Sequence, residues 1–290
     1  MPYCGANLGT MSQTLSSADL VAYVDGWNAA REANEQQRRN PYGYLSYAGF
    51  HKLGTSPASF DAIPGRWTTG PDGPGVELAD GEELVVDGQV VTGSHRFAPV
   101  QEREFRKAAQ IGDVIIELSK RGGQDLLRPI DPAFGRRLND DYDHTPAYEP
   151  DSRWIVEGQF LPFESIRPTP LDATVGDIVH IHPAIGEVVF TIDGAEQRLL
   201  IVARDDQQAG AAGRGIVLFT DETSGFTTDH QGRSLQVEFP AEAGAVTLDF
   251  NFTRNLQRPY TKFAPCPLPP AQNTVTAAIE AGDQLPVFKR

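Results

Sequence analysis

The chain has 290 residues, of which 40% are hydrophobic and 22% charged, a composition typical of a globular protein that buries a core. Its 39 acidic and 25 basic residues give a formal net charge of −14, which disfavours nucleic acid and anionic membrane surfaces as partners. Two cysteines are too few for a disulfide framework, and neither a secretory signal nor a run of about 18 apolar residues occurs. We therefore expect a cytoplasmic protein with no membrane contact.

The N-terminal region is predicted to contain a disordered segment followed by one helix. Residues 1–17 are polar and without pattern, which is typical of a disordered terminus. A helix start signal ends at Asp19, and apolar residues then recur at helical spacing, among them Leu20, Val24 and Trp27. This pattern predicts an amphipathic helix over residues 18–37 that ends before Pro41. We expect Trp27 to anchor it to the rest of the protein.

The remainder of the chain reads as short strands separated by turn residues. Asp87-Gly88 and Asp193-Gly194 are hairpin signals between β-branched runs. A strand spacing of about ten residues predicts a mainly β fold of two β-sandwich or barrel-like units, with a split barrel as one form. The first unit, with the helix, is placed at residues 18–140 and the second at 151–290. Internal duplication and chance recurrence of hairpin chemistry explain the two turn signals equally well.

A short C-terminal helix is predicted over residues 273–282. Asn273 is a suitable cap for its start, and Gly282 suits the position just after its end.

Two sequence features invite a metal interpretation, which we do not adopt. His180 and His182 lie two apart on a predicted strand, so both imidazoles share one face, but no third ligand is close in sequence. The acidic residues at 140–143 lack the glycine and distal glutamate of an EF-hand, which favours a solvated loop. We expect no metal site.

The segment 221–233, between two predicted strands, is the first candidate site. Asp221 and Thr223 are residues that build turns, so their presence has a structural explanation. Arg233 is different, because a guanidinium beside a strand usually has an anionic partner, either internal or bound. Function and structure explain this segment equally well.

The second candidate is the proline-rich run at residues 248–273, which we call the strap. Arg254, Arg258 and Lys262 recur every four residues and form a positive island in an acidic protein. Cys266 lies between two prolines, and no histidine close in sequence can act as its base. The alternative is a clamp that fastens the C-terminal helix to the sheet.

The strap resembles the C-terminal signature of domain-of-unknown-function family 1684. The residues that carry this resemblance are Asp249-Phe-Asn251, Asn255, Cys266-Pro-Leu-Pro-Pro270, Asn273 and Ile279-x-Ala-Gly282. Similar elements occur over residues 20–285, including Ile63-Pro-Gly-Arg-Trp67, Arg128 with Asp131-Pro132, and Gly232-Arg233.

The resemblance implies a cytosolic, β-rich bacterial or archaeal protein and no established activity. The chain also departs from the family pattern, because Arg258 stands where the family has its first cysteine and Leu256-Gln257 replaces a Pro-Pro pair. A site built on two cysteines is therefore excluded, and thiol chemistry at Cys266 loses support.

Three functional hypotheses follow. The first is a pocket for a small anionic metabolite between segment 221–233 and the strap, lined by Asp221, Thr223, Arg233, Asp249, Asn251, Asn255, Arg258, Cys266 and Asn273. The second is a non-catalytic structural or interaction protein in which the strap is only a clamp. The third, resting on fold analogy alone, is a flavin-binding split-barrel oxidoreductase. The sequence assigns no catalytic residue, cofactor or oligomeric state.

Overall fold

The computed structural model describes residues 17–175, 177–203 and 212–289. The predicted disorder of residues 1–16 and the position of Cys4 lie outside this part of the chain. The fold is mainly β with antiparallel sheets, as predicted, and two α-helices, α1 (Ser17–Arg38) and α2 (Pro132–Asp141). No helix in the described part is both long and apolar enough to cross a membrane.

Helix α1 confirms the predicted N-terminal helix to within one residue at each end. Trp27 is buried on the side that faces the protein, and its Nε1 donates to the carbonyl of Asn251 at 3.0 Å. Tyr23 lies one turn earlier and donates its hydroxyl to the carboxylate of Asp249. The helix is therefore fastened to the strap near the start of the family signature, as the anchoring role of Trp27 predicts.

The N-terminal half forms a six-stranded and a three-stranded sheet. The six-stranded sheet has the order β1-β9-β8-β7-β4-β5 and the small sheet the order β2-β3-β6. The strands are β1 (His51–Lys52), β2 (Arg66–Thr68), β3 (Gly75–Glu77), β4 (Leu84–Val86), β5 (Gln89–Val91), β6 (Ser94–Arg96), β7 (Phe105–Ile111), β8 (Val114–Arg121) and β9 (Gln124–Ile130). One hydrophobic core, with Trp67 at its centre, fills the space between the two sheets.

The C-terminal half is a seven-stranded antiparallel sheet with the order β16-β11-β12-β13-β14-β15-β17, and a two-stranded pair of β10 and β18. The strands are β10 (Tyr142–His144), β11 (Ile155–Asp172), β12 (Val179–Ile192), β13 (Ala195–Ala203), β14 (Gly213–Phe219), β15 (Arg233–Phe239), β16 (Gly244–Asp249), β17 (Arg254–Asn255) and β18 (Val287–Phe288). The sheet curls around a second core, so that β15 and β16 lie side by side.

Both predicted hairpin turns are confirmed. Val86 pairs with Gln89 across Asp87-Gly88, and Ile192 pairs with Ala195 across Asp193-Gly194. All four turn residues have positive φ, between 47° and 79°, which is the conformation that a two-residue turn of this kind requires and that Asp and Gly tolerate.

Helix α2 was not predicted. Asp131 caps its start by accepting from the amide of Ala133, and Pro132 occupies its first turn. The sequence signal was therefore present in the Asp-Pro pair. The acidic residues at 140–143, predicted to form a loop, fall at the end of α2 and in β10.

The predicted C-terminal helix is wrong. Residues 273–282 are not helical, and side chains alternate between buried and exposed from Asn273 to Ala277. The segment is extended and hydrogen-bonds to residues 220–222, since the Val275 amide donates to the Thr220 carbonyl and the Glu222 amide to the Ala277 carbonyl. The capping residues at its ends suited a helix, but the alternating burial of Val275, Ala277, Ile279 and Ala281 in the second core overrides that local preference.

Candidate functional site

A cavity of about 510 Å³ lies between the six-stranded sheet, the seven-stranded sheet and the strap. Its charged lining consists of arginines, namely Arg38, Arg103, Arg121, Arg128 and Arg254. No aspartate or glutamate of the described chain lines it. This composition is the reverse of the protein's net charge of −14 and marks the cavity as a local cationic site.

Strand periodicity explains how one wall becomes polar. Successive side chains on β8 alternate, so Ile116 and Leu118 enter the first core, while Glu117, Ser119 and Arg121 share the opposite face. Cross-strand partners point the same way in an antiparallel sheet. Phe105 pairs with Ser119 and Arg128 with Glu117, which brings both of these neighbours onto the cavity face.

Arg128 has a carboxylate partner on this wall. Its Nε and Nη2 both donate to Oε1 of Glu117, at 2.9 Å for Nε, and its guanidinium carbon lies 3.9 Å from the centroid of the Tyr47 ring. Arg128 and Glu117 are 3% and 7% exposed, so this is a buried and internally neutralised pair.

Arg121 is also buried, at 5% exposed, but it forms no ion pair within the described chain. Its Nη1 donates to the carbonyls of Glu104 and Lys120, and its guanidinium lies over the ring of Phe105. Burial and the nearby charge of Arg128 lower the Arg121 pKa to about 10, which leaves the group charged at neutral pH.

The charges of two carboxylates, Glu102 and Glu117, act on Arg121, but each of these carboxylates forms its hydrogen bonds with other groups. Glu102 accepts the backbone amides of Gly122 and Gly123, and Glu117 accepts from Arg128. Arg121 is therefore a buried cation without a direct ion-pair partner among the described residues, while the charges of Glu102 and Glu117 act on it from outside hydrogen-bond contact, and an anion bound in the cavity would supply the missing direct partner.

The opposite wall carries the two histidines. Their ring centroids are 5.7 Å apart, which confirms that strand periodicity puts them on one face. His180 donates from Nε2 to the Pro265 carbonyl at 2.6 Å, whereas the buried Nδ1 of His182 has no partner among the described residues. Burial lowers the His180 pKa to about 4, and burial together with Arg103 lowers the His182 pKa to about 3, so both rings are neutral at physiological pH.

The rest of this wall is apolar. Val202 of β13 pairs with Ile216 of β14, and Leu218 lies two residues further along β14 on the same face. The strap adds Leu256 beside them. The cavity therefore has a wall on β8 and β9 that carries Arg121 and Arg128, and a facing wall of neutral imidazoles and aliphatic groups that Arg254 of the strap borders.

Two of the predicted ligand-binding residues line the cavity, Asn255 and Cys266. Asn255 donates from Nδ2 to the Gln284 carbonyl, while its buried Oδ1 has no partner in the described chain. The Cys266 sulfur receives the backbone amides of Gln257 and Arg258, and burial nevertheless raises its pKa to about 11. The thiol is therefore protonated at neutral pH, which disfavours a role as nucleophile.

Segment 221–233 contains a buried ion pair rather than part of the cavity lining. Nη2 of Arg233 donates to Asp221 at 2.6 Å, and the same guanidinium donates to the carbonyls of Ile279, Ala281 and Asp283. Asp221 in turn accepts the amide and hydroxyl of Thr223. Arg233 has the internal anionic partner that was one of the two sequence interpretations, and its contacts join β15 to the extended segment after the strap.

Three further predicted residues join elements of the second half. Asn251 donates to the Asp151 carbonyl and to Asp249, which also accepts the Asn251 amide and starts a 3-10 turn. Asn273 accepts the Leu200 amide and donates to the carbonyls of Leu200 and Leu218. Arg258, also predicted to bind ligand, is half-buried in the strap and does not line the cavity.

The sequence interpretation missed the residues that give the cavity its charge. Arg121 was not singled out, and Arg128 was named only among the residues that carry the family resemblance. The signal was the alternation Glu117-x-Ser119-x-Arg121, which puts three polar side chains on one face of a strand whose other face is aliphatic. Among the described residues no group of three histidines, cysteines or carboxylates is close enough to hold a metal ion.

The fold and the cavity define a mainly β protein with a cationic cavity, and comparison with known proteins adds its family. Residues 140–284 match the family described as protein of unknown function (DUF1684), and the chain belongs to this family, as the strap signature predicts. An uncharacterized protein of Haloarcula marismortui, solved by solution NMR, shares 25% identity and a TM-score of 0.42 over 50% of this chain and 78% of that chain. No curated protein matches.

Proposed function

We propose that the protein binds a small anionic ligand in the cavity between its two large sheets, with Arg121 as the principal binding group. One observation carries this proposal: Arg121 is 5% exposed, lines the cavity and forms no ion pair within the described chain. A buried charge without a partner costs several kcal/mol, on the order of the penalty measured when one member of a buried pair is removed. Binding an anion offsets that cost.

Arg128 assists as a second, weaker attraction. Its pairing with Glu117 cancels its charge, yet its guanidinium is held rigidly by Tyr47 and two hydrogen bonds to Glu117. A guanidinium fixed in this way offers its remaining N–H groups in a set direction, which favours planar anions. Oδ1 of Asn255 and Nδ1 of His182, which have no hydrogen-bond partner among the described residues, belong to side chains of the cavity lining and offer further polar contacts.

This proposal moves the anion site relative to the sequence hypothesis. The strap still forms one side of it, through residues 254–257 and 265–267. Binding roles for Asp221, Thr223, Arg233, Asp249, Asn251, Arg258 and Asn273 stay predictions, and the hydrogen bonds of most of them favour the alternative, a structural clamp. We propose that both hypotheses apply to different parts of the strap, a clamp at its two ends and a cavity wall between them.

A thermal-shift screen of carboxylated and phosphorylated small molecules, followed by calorimetry on the hits, tests the proposal. We expect at least one hit whose affinity falls tenfold or more in Arg121→Gln. Arg198→Gln is the matched control, because Arg198 is a half-exposed surface arginine paired with Glu187, and it should keep the wild-type affinity. A screen without any hit, or a hit that binds Arg121→Gln as tightly as wild type, would refute the proposal.

The alternatives from the sequence remain separable from this one. A split-barrel oxidoreductase stays a prediction that no residue of the cavity singles out, and the visible absorption spectrum of the purified protein tests for bound flavin directly. The acidic surface supports the further proposal that nucleic acid and anionic membranes are not partners. A purely structural role predicts that no small anion stabilises the protein.

A further inference from the structure

We infer that the ligand is an amphiphilic monocarboxylate, whose carboxylate lies at Arg121 and whose apolar body lies on the wall formed by Val202, Ile216, Leu218 and Leu256. This inference rests on the proposed function and names the ligand class for the same site. Two observations support it. The two cavity walls differ in chemistry, and only one of the lining arginines whose contacts are fully described has no direct ion pair.

The apolar wall is continuous. Ile216 and Leu218 are two residues apart on β14 and share a face, and Val202 is the cross-strand partner of Ile216. Val202 and Leu218 are each 4% exposed and belong to one hydrophobic cluster, against which Ile216 and Leu256 pack. An aliphatic surface that borders an internal cavity is stabilised when a hydrocarbon replaces water there.

The apolar wall faces the cationic one across a short distance. At one end the sheets touch, because a Cβ on Gly122, the residue after Arg121, would lie 2.1 Å from the Val179 carbonyl oxygen on β12. The charges of Arg103 and Arg121 also contribute to the low pKa of His182 on β12. A single ligand therefore contacts both walls, with its charged end toward β8.

The ion pairs of the arginines that line the cavity favour a ligand with a single negative charge. Arg38 is neutralised by Asp283 and Glu35, and Arg128 by Glu117. Arg103 and Arg254 also border the cavity, and each takes part in another interaction within the protein. Among the lining arginines whose contacts are fully described, Arg121 is the one without a direct ion pair, which matches a monoanion better than a phosphate dianion.

Because both histidines are neutral, they do not attract a negative charge, and the anionic group of the ligand is expected at its other end only. At physiological pH neither imidazole carries a proton that would attract a second anionic group. A cavity of about 510 Å³ lies within the size range of sites for drug-sized ligands, so it has room for a hydrocarbon body in addition to the carboxylate.

Calorimetry with a homologous series tests the inference. The probes are acetate, butanoate, hexanoate and octanoate, with octan-1-ol as the uncharged analogue and inorganic phosphate as the anion without an apolar body. We expect the dissociation constant to fall about fourfold for each added methylene, the value that corresponds to burying one CH₂ group, until the cavity is filled. Octan-1-ol should bind at least tenfold more weakly than octanoate.

Two variants test the contributions of the apolar wall and of Arg121 separately. Ile216→Thr retains a β-branched side chain but replaces an aliphatic group with a hydroxyl, and it should weaken octanoate at least threefold without changing acetate. Arg121→Gln should bring octanoate and octan-1-ol to similar affinities. Because unfolding of either variant would mimic loss of binding, each is first compared with wild type by circular dichroism.

The outcomes distinguish this inference from the proposed function. If phosphate binds in an Arg121-dependent way while the carboxylate series shows no dependence on chain length, the inference fails and the proposed function stands. If neither phosphate nor any carboxylate binds the wild-type protein, both are contradicted. Equal binding of octanoate and octan-1-ol would also overturn the inference, because the carboxylate would then contribute nothing.

Discussion

The guanidinium carbon of Arg121 lies 3.8 Å from the centroid of the Phe105 ring, on the wall of a cavity and without a carboxylate partner in the described chain. A cation over an aromatic face is stabilised by about 0.5–2 kcal/mol, which is less than the several kcal/mol that burial of a charge costs. The ring orients the guanidinium but does not neutralise it. This imbalance is the physical basis for proposing that an anion completes the site.

The first prediction compares the two buried arginines in the absence of ligand. Arg121→Gln should leave the free energy of unfolding unchanged or raise it by about 1 kcal/mol, because a buried charge without a direct ion-pair partner is removed. Arg128→Gln should lower it by about 3–5 kcal/mol, because Glu117 stays buried without its partner. Urea denaturation measures both. Equal losses in the two variants would show that Arg121 is as well compensated as Arg128.

The second prediction concerns the buried pair of Arg233 and Asp221. Arg233→Met should lower the free energy of unfolding by about 3–5 kcal/mol, since Asp221 and three carbonyls lose their donor. The double variant with Asp221→Asn should recover part of that loss. Arg214→Met is the control, because the Arg214–Glu238 pair is exposed and such pairs contribute about 0–1 kcal/mol.

Chemical denaturation of Arg233→Met, together with its anion affinity, also tests where the anion site lies. A stable Arg233→Met protein that has lost anion affinity would return the site to segment 221–233, as the sequence hypothesis has it.

The third prediction concerns Asn273. Among the described residues β13 and β14 form two ladder pairs, and beyond these Asn273 bridges the strands through the Leu200 amide and the carbonyls of Leu200 and Leu218. Asn273→Ala leaves these buried groups unpaired and should lower the free energy of unfolding by at least about 1–3 kcal/mol. Thr274→Ala, at the exposed neighbouring position, should change it little. A loss at Thr274 as large as that at Asn273 would argue against the bridge.

The fourth prediction is a dependence of stability on pH that comes from the two histidines. An unfolded histidine has a pKa of about 6.5, so above that pH both states are neutral and full stability is present. Below it the unfolded chain takes up protons that His180 and His182 refuse until pH about 4 and about 3. The free energy of unfolding should therefore fall between pH 6.5 and 4, by at most about 1.4 kcal/mol per pH unit for each imidazole.

Denaturation of the His180→Gln/His182→Gln variant over the same pH range isolates this contribution, because the carboxylates titrate in both proteins. The free energy of unfolding of wild type minus that of the variant should decrease as the pH falls from 6.5 to 4, by at most the stated slope, and should stay constant above pH 7. A difference that is independent of pH would mean that both imidazoles take up protons over the same pH range in the folded and unfolded states, contrary to their burial between Arg103, Arg121 and the strap.

Local signals were sufficient for several elements. Helix α1 and the turns at Asp87-Gly88 and Asp193-Gly194 follow from capping residues, periodicity and the tolerance of Asp and Gly for positive φ, all of which act within a few residues. The 273–282 segment shows where this fails. Its caps suited a helix, but the hydrogen bonds offered by residues 220–222 and the burial of alternate side chains in the second core decided for an extended conformation.

For the candidate site too, some features follow from the local sequence and others only from the tertiary structure. The sequence by itself determined the family, the mainly β class and the strap as the segment richest in specific side chains, because these depend on residue types and short spacings. Only the tertiary structure decided that Arg233 is neutralised inside the protein and that Arg121 is not. The reason is that a direct ion pair depends on which carboxylates come within hydrogen-bond distance. Glu117 is paired with Arg128, and Glu102 accepts the backbone amides of Gly122 and Gly123, so neither forms an ion pair with Arg121.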